Sequence, residues 1–231
     1  MKYKAVLFDM DGTLLDTLSD MHAAVNHILA CHGWQTRSRE EVRAFVGNGA
    51  RRLMERAVPP EVTGDALEAV LTEYRDWYQS HNCVATAPYP GIPALLHSLT
   101  AAGVRTAVVS NKPNATTRAL AEKFFPGVLA LGQREDVPPK PDPTLVRRAL
   151  AQLGVTAADA VYVGDSEVDV STARNAGLPL VAVSWGFRSR RTLTEAGAET
   201  IADTAAELLE KLQGKCQEEN GQMTKNIKLG L

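Results

Sequence analysis

Four short apolar runs, Ala5 to Phe8, Arg105–Val109, Ala160–Val163 and Leu180–Val183, each break off into a small or polar loop. Helical patterns lie between them. Pro93 to Ala102 sets Leu95, Leu96 and Leu99 on one side ahead of Gly103, and Thr144 to Leu153 carries Leu145, Val146, Ala149, Leu150 and Leu153 ahead of Gly154. Proline inside a helix start and glycine just past its end are boundary signals. Strands and helices in this alternation bury their apolar faces by laying helices over a parallel sheet, which makes the chain an α/β protein.

One stretch breaks the alternation. From Asp16 to about Asn82 there is no convincing strand. Leu18, Met21, Val25, Ile28 and Leu29 follow helical spacing and stop before Gly33. Ser38 and Glu41 form a capping-box pattern ahead of Val42, Phe45 and Val46, and Pro59-Pro60 ends a third helical piece. Leu67, Val70, Leu71, Tyr74, Trp77 and Tyr78 mark a fourth, with the aromatic stripe expected to serve helix packing. The pattern predicts an inserted all-helical subdomain over 16–85, between core segments 1–15 and 86–213. A polar, aperiodic tail over 214–231 is expected to be mobile.

Composition narrows the partners. With 231 residues, 45% of them apolar, the chain can bury a sizeable core. A net charge of −2 without a basic block makes nucleic acid a poor partner. No apolar run is long enough to span a bilayer, and the N-terminus reaches Asp9 too soon for a signal peptide, so a cytoplasmic location is expected. Cys31, Cys83 and Cys216 suit reduced thiols better than disulfides or a zinc site. His22, His27 and His32 recur every five residues and so cannot share a helix face as ligands.

The chemistry gathers at strand ends, where open α/β sheets place their sites. The first strand runs into Asp9-Met10-Asp11-Gly12-Thr13, whose carboxylates at i and i+2 point to one side of an extended segment and repel unless a cation or proton intervenes. Asp and Gly are also ordinary turn residues. The strand Ala160–Val163 ends in Gly164-Asp165-Ser166-Glu167-Val168-Asp169. If the two strands are neighbours, Asp9 and Asp165 can hold one hard cation such as Mg²⁺; a helix N-cap role accounts for Asp165 or Ser166 but not for acids on two strands. Ser110-Asn111, ahead of a helix start at Lys112-Pro113, suits phosphate oxygens or a plain cap. Lys140, stiffened by Pro141 and Pro143, can neutralise phosphate and crowded carboxylates, or be a solvated loop lysine.

The set Asp9-x-Asp11-Gly12-Thr13, Ser110-Asn111, Lys140 and Gly164-Asp165-x-x-x-Asp169 resembles, in order, the four motifs of the haloacid dehalogenase superfamily over roughly residues 3–212. The helical insertion resembles its helical-cap subclass, and Phe45-Val46-Gly47-Asn48-Gly49 with Ser110-Asn111-Lys112-Pro113 looks most like the phosphoglycolate phosphatases. The resemblance implies a Rossmann-like parallel sheet core with an inserted helical cap, and a Mg²⁺-dependent phosphatase of a small phosphorylated metabolite, 2-phosphoglycolate being the first expectation. It implies Asp9 as nucleophile forming an aspartyl-phosphate, and Asp11 as general acid and base. It implies Mg²⁺ held by Asp9, the Asp11 carbonyl and Asp165, with Asp169 behind them positioning water or Lys140. Ser110, Asn111 and Lys140 would bind the phosphoryl group. In the cap, Asn48, Gly49 and Arg51 are candidates for the organic part of the substrate, with Arg51 pairing a carboxylate or else lying on a solvated face; Lys112 stands equally open.

Alternatives remain on the same scaffold: a β-phosphoglucomutase-like phosphomutase, a pyrophosphatase or another phosphomonoesterase. Thr13 favours the phosphatases, since the mutases typically carry valine there, and Asp11 speaks against dehalogenation. A catalytically silent phosphate- or metal-binding regulatory module is the reading from a different class. Monomer and homodimer are both open.

Overall fold

The computed structural model describes residues 1–214, so all of the polar tail but Gly214 lies outside the described residues. Strand β1 (Ala5–Phe8) leads through a two-residue β2 (Leu15–Asp16) into four consecutive helices: α1 (Leu18–Cys31), α2 (Arg39–Phe45), α3 (Gly49–Ala57) and α4 (Gly64–His81). The chain returns through β3 (Ala87–Pro88), which pairs antiparallel with β2. It then alternates: α5 (Ile92–Ala101), β4 (Arg105–Pro113), α6 (Asn114–Phe124), β5 (Leu129–Gln133), α7 (Thr144–Leu153), β6 (Ala160–Gly164), α8 (Glu167–Ala176), β7 (Leu180–Val183), α9 (Arg190–Glu195), β8 (Ile201–Ala202) and α10 (Ala205–Gln213).

The six-stranded sheet is parallel throughout, in the order β5-β4-β1-β6-β7-β8. Successive strands are laid outward from β1 first on one side, then on the other. The topological switch therefore falls between β1 and β6, and ligands of open α/β sheets bind at the strand carboxyl ends there. Because side chains alternate along a strand, Val6 and Phe8 enter one hydrophobic cluster with Leu95, Leu99 and Leu208, while Ala5 and Leu7 enter another with Leu145, Val146 and Leu150. Burial on both faces explains why β1 reads as one unbroken apolar run.

The four helices after β2 form a separate cluster from Leu18, Val25, Leu29, Val42, Leu53, Leu71 and Tyr74, joined by Phe187 from the loop after β7. Ser38 caps α2, accepting from the Glu41 N–H while Glu41 accepts from the Ser38 N–H, as the sequence pattern predicts. Asp20, buried in α1, accepts from the N–H groups of Val84, Ala85 and Thr86 and from the Thr86 hydroxyl at 2.7–3.0 Å, pinning the returning strand.

One expectation changes. The helix placed at Lys112-Pro113 begins at Asn114, and β4 runs on through Pro113. A proline disfavours helical backbone at the residue before it, which keeps Lys112 extended. Strands β5 and β8 lack a clear sequence signal: the first is Leu-Ala-Leu-Gly-Gln at an edge, the second two residues long. The aromatic stripe of α4 packs in the helical cluster as expected; Trp77 also stacks between His27 and His81, and Tyr74 and Tyr78 also line a cavity. The histidines go separate ways, as their spacing predicts: His22 bonds the Arg37 carbonyl and His32 meets Glu73. Cys31 and Cys83 are free thiols, and Cys216 lies outside the described residues.

Candidate active site

The carboxyl ends of β1 and β6 are in register, Phe8 beside Val163, so Asp9 and Asp165 emerge side by side. One carboxylate oxygen from each of Asp9, Asp165 and Asp169 falls within a 4.8 Å cluster. Gly12, at φ 84°, turns the chain so tightly that a Cβ there would strike the Asp165 carboxylate. Gly186 approaches from the other side, where a Cβ would strike Asp165 and the Gly12 carbonyl. Asp165 is thus packed between two glycines, and it accepts from the Thr13 hydroxyl at 3.1 Å and the Phe187 N–H at 2.7 Å.

Lys140 is the cation of this cluster, its side chain 1% exposed. Its ammonium lies 2.9 Å from Asp9 Oδ1, 2.9 Å from Asp169 Oδ1 and 3.0 Å from the Tyr162 hydroxyl. The loop that carries it is clamped by Asn111, whose carbonyl oxygen accepts the Lys140 N–H at 2.7 Å while its amide donates to the Lys140 carbonyl and to Gly47. The side chain of Asn111, expected on phosphate, is therefore engaged with backbone. Ser110 Oγ accepts from the Lys112 N–H at 3.2 Å and keeps its own proton for a ligand in the cavity it lines.

Burial governs the electrostatics. Desolvation pushes the Asp9 carboxyl up to about 7, against the pull of Lys140 and with a further push from Asp169 and Asp11. Asp165 is held well above the usual carboxylate range by desolvation and then by Asp169 and Asp9. For Lys140, burial opposes the charge but Asp169 and Asp9 outweigh it, so the ammonium stays protonated. A cluster in which burial and mutual repulsion raise two acids, with one ammonium among three carboxylates, fits a hard divalent cation. Asp169 is the least available ligand: both its oxygens already accept bonds, from Lys140 on one and from the Ser166 N–H and hydroxyl on the other. Asp165 carries one bond on each oxygen, and Asp9 is engaged on Oδ1 alone, so these two carboxylates are the less occupied and the better placed to reach an ion.

Above the cluster lies a partly open cavity of about 240 Å³, walled by Asp9, Asp11, Ser110 and Lys112 below and by Gly47, Gly49, Leu53, Tyr74 and Tyr78 above. It is smaller than the roughly 300–1,000 Å³ usual for drug-sized ligands. Asp11 Oδ1 accepts from the Thr17 hydroxyl at 2.7 Å and faces the Lys112 ammonium at 3.3 Å. Of the expected cap residues, Gly49 reaches the wall, while Asn48 holds the N-cap position of α3 beside it without a side-chain capping bond. Arg51 does not reach it: its guanidinium pairs with Glu68 and Glu55 on the exposed side of α3. Residues the sequence left unread complete the frame. Arg43 of α2 donates to the Gly186 and Phe187 carbonyls, and Arg188 donates back to the Arg43 and Val46 carbonyls while holding Glu167 at 2.9 Å. The run Gly186-Phe187-Arg188 is the signal for this contact, a glycine beside an aromatic and a cation after β7.

Comparison with known proteins supports the same assignment. A Pseudomonas aeruginosa N-acetylmuramic acid 6-phosphate phosphatase is 34% identical, over 92% of this chain and 96% of that protein. A Rhodospirillum rubrum phosphoglycolate phosphatase is 37% identical over 89% of each. Among solved structures, one from Lactobacillus delbrueckii subsp. bulgaricus, provisionally described as a phosphoglycolate phosphatase, superposes with a TM-score of 0.88 at 38% identity, over 92% of this chain and 99% of that one. CbbY from Rhodobacter sphaeroides, solved with phosphate, gives 0.71 at 28% identity over 89% and 96%. Residues 6–183 match the family described as haloacid dehalogenase-like hydrolase. With acids on neighbouring strand ends, a buried lysine between them and relatives that span nearly its whole length, the chain belongs to the haloacid dehalogenase-like hydrolases.

Proposed function

We propose that this hydrolase takes the phosphoryl group from a small phosphorylated acid, 2-phosphoglycolate first among them, through an aspartyl-phosphate on Asp9. The observation that carries the reading is the buried Lys140 ammonium, held 2.9 Å behind Asp9, whose carboxylate lines the floor of the cavity. It favours the ionised carboxylate that attacks phosphorus and stands ready for charge on the phosphoryl oxygens. Ser110 donates its hydroxyl to one of those oxygens. Asp11, on the cavity side of Asp9, protonates the leaving oxygen and then takes a proton from the water that hydrolyses the phosphoenzyme. Asp9, Asp165 and the Asp11 carbonyl would hold Mg²⁺, which supplies charge neutralisation and alignment for phosphoryl transfer. Asp169 positions Lys140. The helices over 16–85 act as the cap that closes on the substrate and excludes water.

The cavity size favours a short substrate over a phosphorylated amino sugar or a bisphosphate sugar. Phosphate release is to be measured over 2-phosphoglycolate, sugar phosphates, N-acetylmuramic acid 6-phosphate and pyrophosphate, with Mg²⁺ and with chelator. The expected result is Mg²⁺-dependent turnover highest on 2-phosphoglycolate, at least about 10³-fold lower in Asp9→Asn. Wild-type turnover in Asp9→Asn would overturn the mechanism, and preference for another phosphate would replace the substrate.

A further inference from the structure

The geometry points to Lys112, braced by Tyr78, as the residue that selects substrates carrying a carboxylate next to the phosphate ester. The inference rests on the phosphatase reading above and adds to it a residue for the charged end of the leaving group.

Lys112 is buried, its side chain 3% exposed, in the cavity wall. Its ammonium lies 2.7 Å from the Tyr78 hydroxyl, 4.5 Å from the centre of the Tyr78 ring and 3.3 Å from Asp11 Oδ1. An ammonium has three N–H donors, and these contacts use two. The other cations near the cavity are engaged or solvated. Lys140 is held by Asp9, Asp169 and Tyr162, Arg188 by Glu167 and two cap carbonyls, and Arg75 lines the cavity from the solvent-exposed side of α4. Arg51, the sequence candidate for a carboxylate, faces away.

Position decides what Lys112 can read. Asp11 addresses the ester oxygen, so a cation touching Asp11 lies within a few bonds of that oxygen. In 2-phosphoglycolate the carboxylate carbon is two bonds from it. A carboxylate farther along a sugar skeleton cannot meet Lys112 and Asp11 together. Met21, Val46, Leu53 and Phe187 line the same space, and apolar walls strengthen a charge pair by lowering the local dielectric. Tyr78 supplies a hydroxyl that holds the ammonium at little entropic cost. Because Tyr78 belongs to α4, recognition of the carboxylate requires the helices to be seated on the sheet.

The test compares 2-phosphoglycolate with 2-hydroxyethyl phosphate, its uncharged counterpart of equal length. The readout is the ratio of their kcat/KM values, in wild type, Lys112→Met and Tyr78→Phe. We expect the ratio to fall about 100-fold in Lys112→Met, the scale of losing a charged partner from a buried site, and about fivefold in Tyr78→Phe. A purely structural lysine would lower both substrates together and leave the ratio unmoved. A ratio within about threefold of wild type in Lys112→Met would overturn the assignment. If Lys112→Met does not fold, Lys112→Arg and Tyr78→Phe carry the test: the ratio must survive partly in the first and fall in the second, and the converse result overturns it. A wild type that hydrolyses both substrates equally well removes the substrate reading as well, whereas a selective wild type with an unmoved variant removes Lys112 alone.

Discussion

Asp9 is the residue whose environment has the most direct consequence. Its carboxyl is raised from an ordinary 3.8 to about 7, first by burial. A raised acid binds its proton more tightly folded than unfolded. Its contribution to stability is therefore fully present below about pH 4 and is lost as pH rises through about 7. Three units correspond to a few kcal/mol, roughly. In chelator, wild type should lose several degrees of melting temperature relative to Asp9→Asn between pH 5 and pH 8. Added Mg²⁺ should reverse the sign of that difference at pH 8 by supplying the missing countercharge. A melting-temperature difference that is flat with pH would show that Asp9 is not desolvated in solution. Asp9, Asp11, Asp165 and Lys140 were all legible in the sequence because each follows a strand end or sits between prolines, so local chain geometry aims it. Lys112 stayed undecided because its partner, Tyr78, is 34 residues away and only the tertiary fold joins them. Arg51 takes the second of its two readings, the solvated face, for a helical reason: Gly49, Ala50 and Leu53 face the cavity, which turns Arg51 outward to Glu68.

At the scale of elements, the sheet strands with continuous apolar runs were readable, and the edge strands β5 and β8 were not. β5 is half-buried and has no β-branched residue, and β8 is only two residues long, so composition marks neither strongly. The join between α1 and β3 was equally hidden. Asp20 looks like one more helix acid, yet it accepts four donors from residues 84–86. Removing it strands the buried N–H and hydroxyl of Thr86 and frees two amides on the exposed residues Val84 and Ala85. Asp20→Ala should cost about 3 kcal/mol in urea unfolding, and Asp20→Asn less, because an amide oxygen still accepts. Equal stability of Asp20→Ala and wild type would show that these amides find water instead.

At the scale of the molecule, the α/β class and the place of the site followed from alternation and from acids at two strand ends. The contact between the helices and the sheet did not, because it is made by loops whose sequence has no period. Arg43 and Arg188 each grip the backbone of the other's segment, and Phe187 sits in the helical cluster while its N–H holds Asp165. The boundary between the two clusters is thus not the boundary between the two chain segments. A chimera that takes residues 16–85 from a relative should be unable to seat its helices properly on this sheet. Its apparent Mg²⁺ affinity, measured by calorimetry, should fall about tenfold, as when a group supporting a metal ligand is lost. Transplanting residues 186–188 along with the helices should restore it. In the grammar of recombination, this enzyme's exchangeable unit is discontinuous: seventy-odd residues plus a tripeptide a hundred positions downstream, inherited together or not at all.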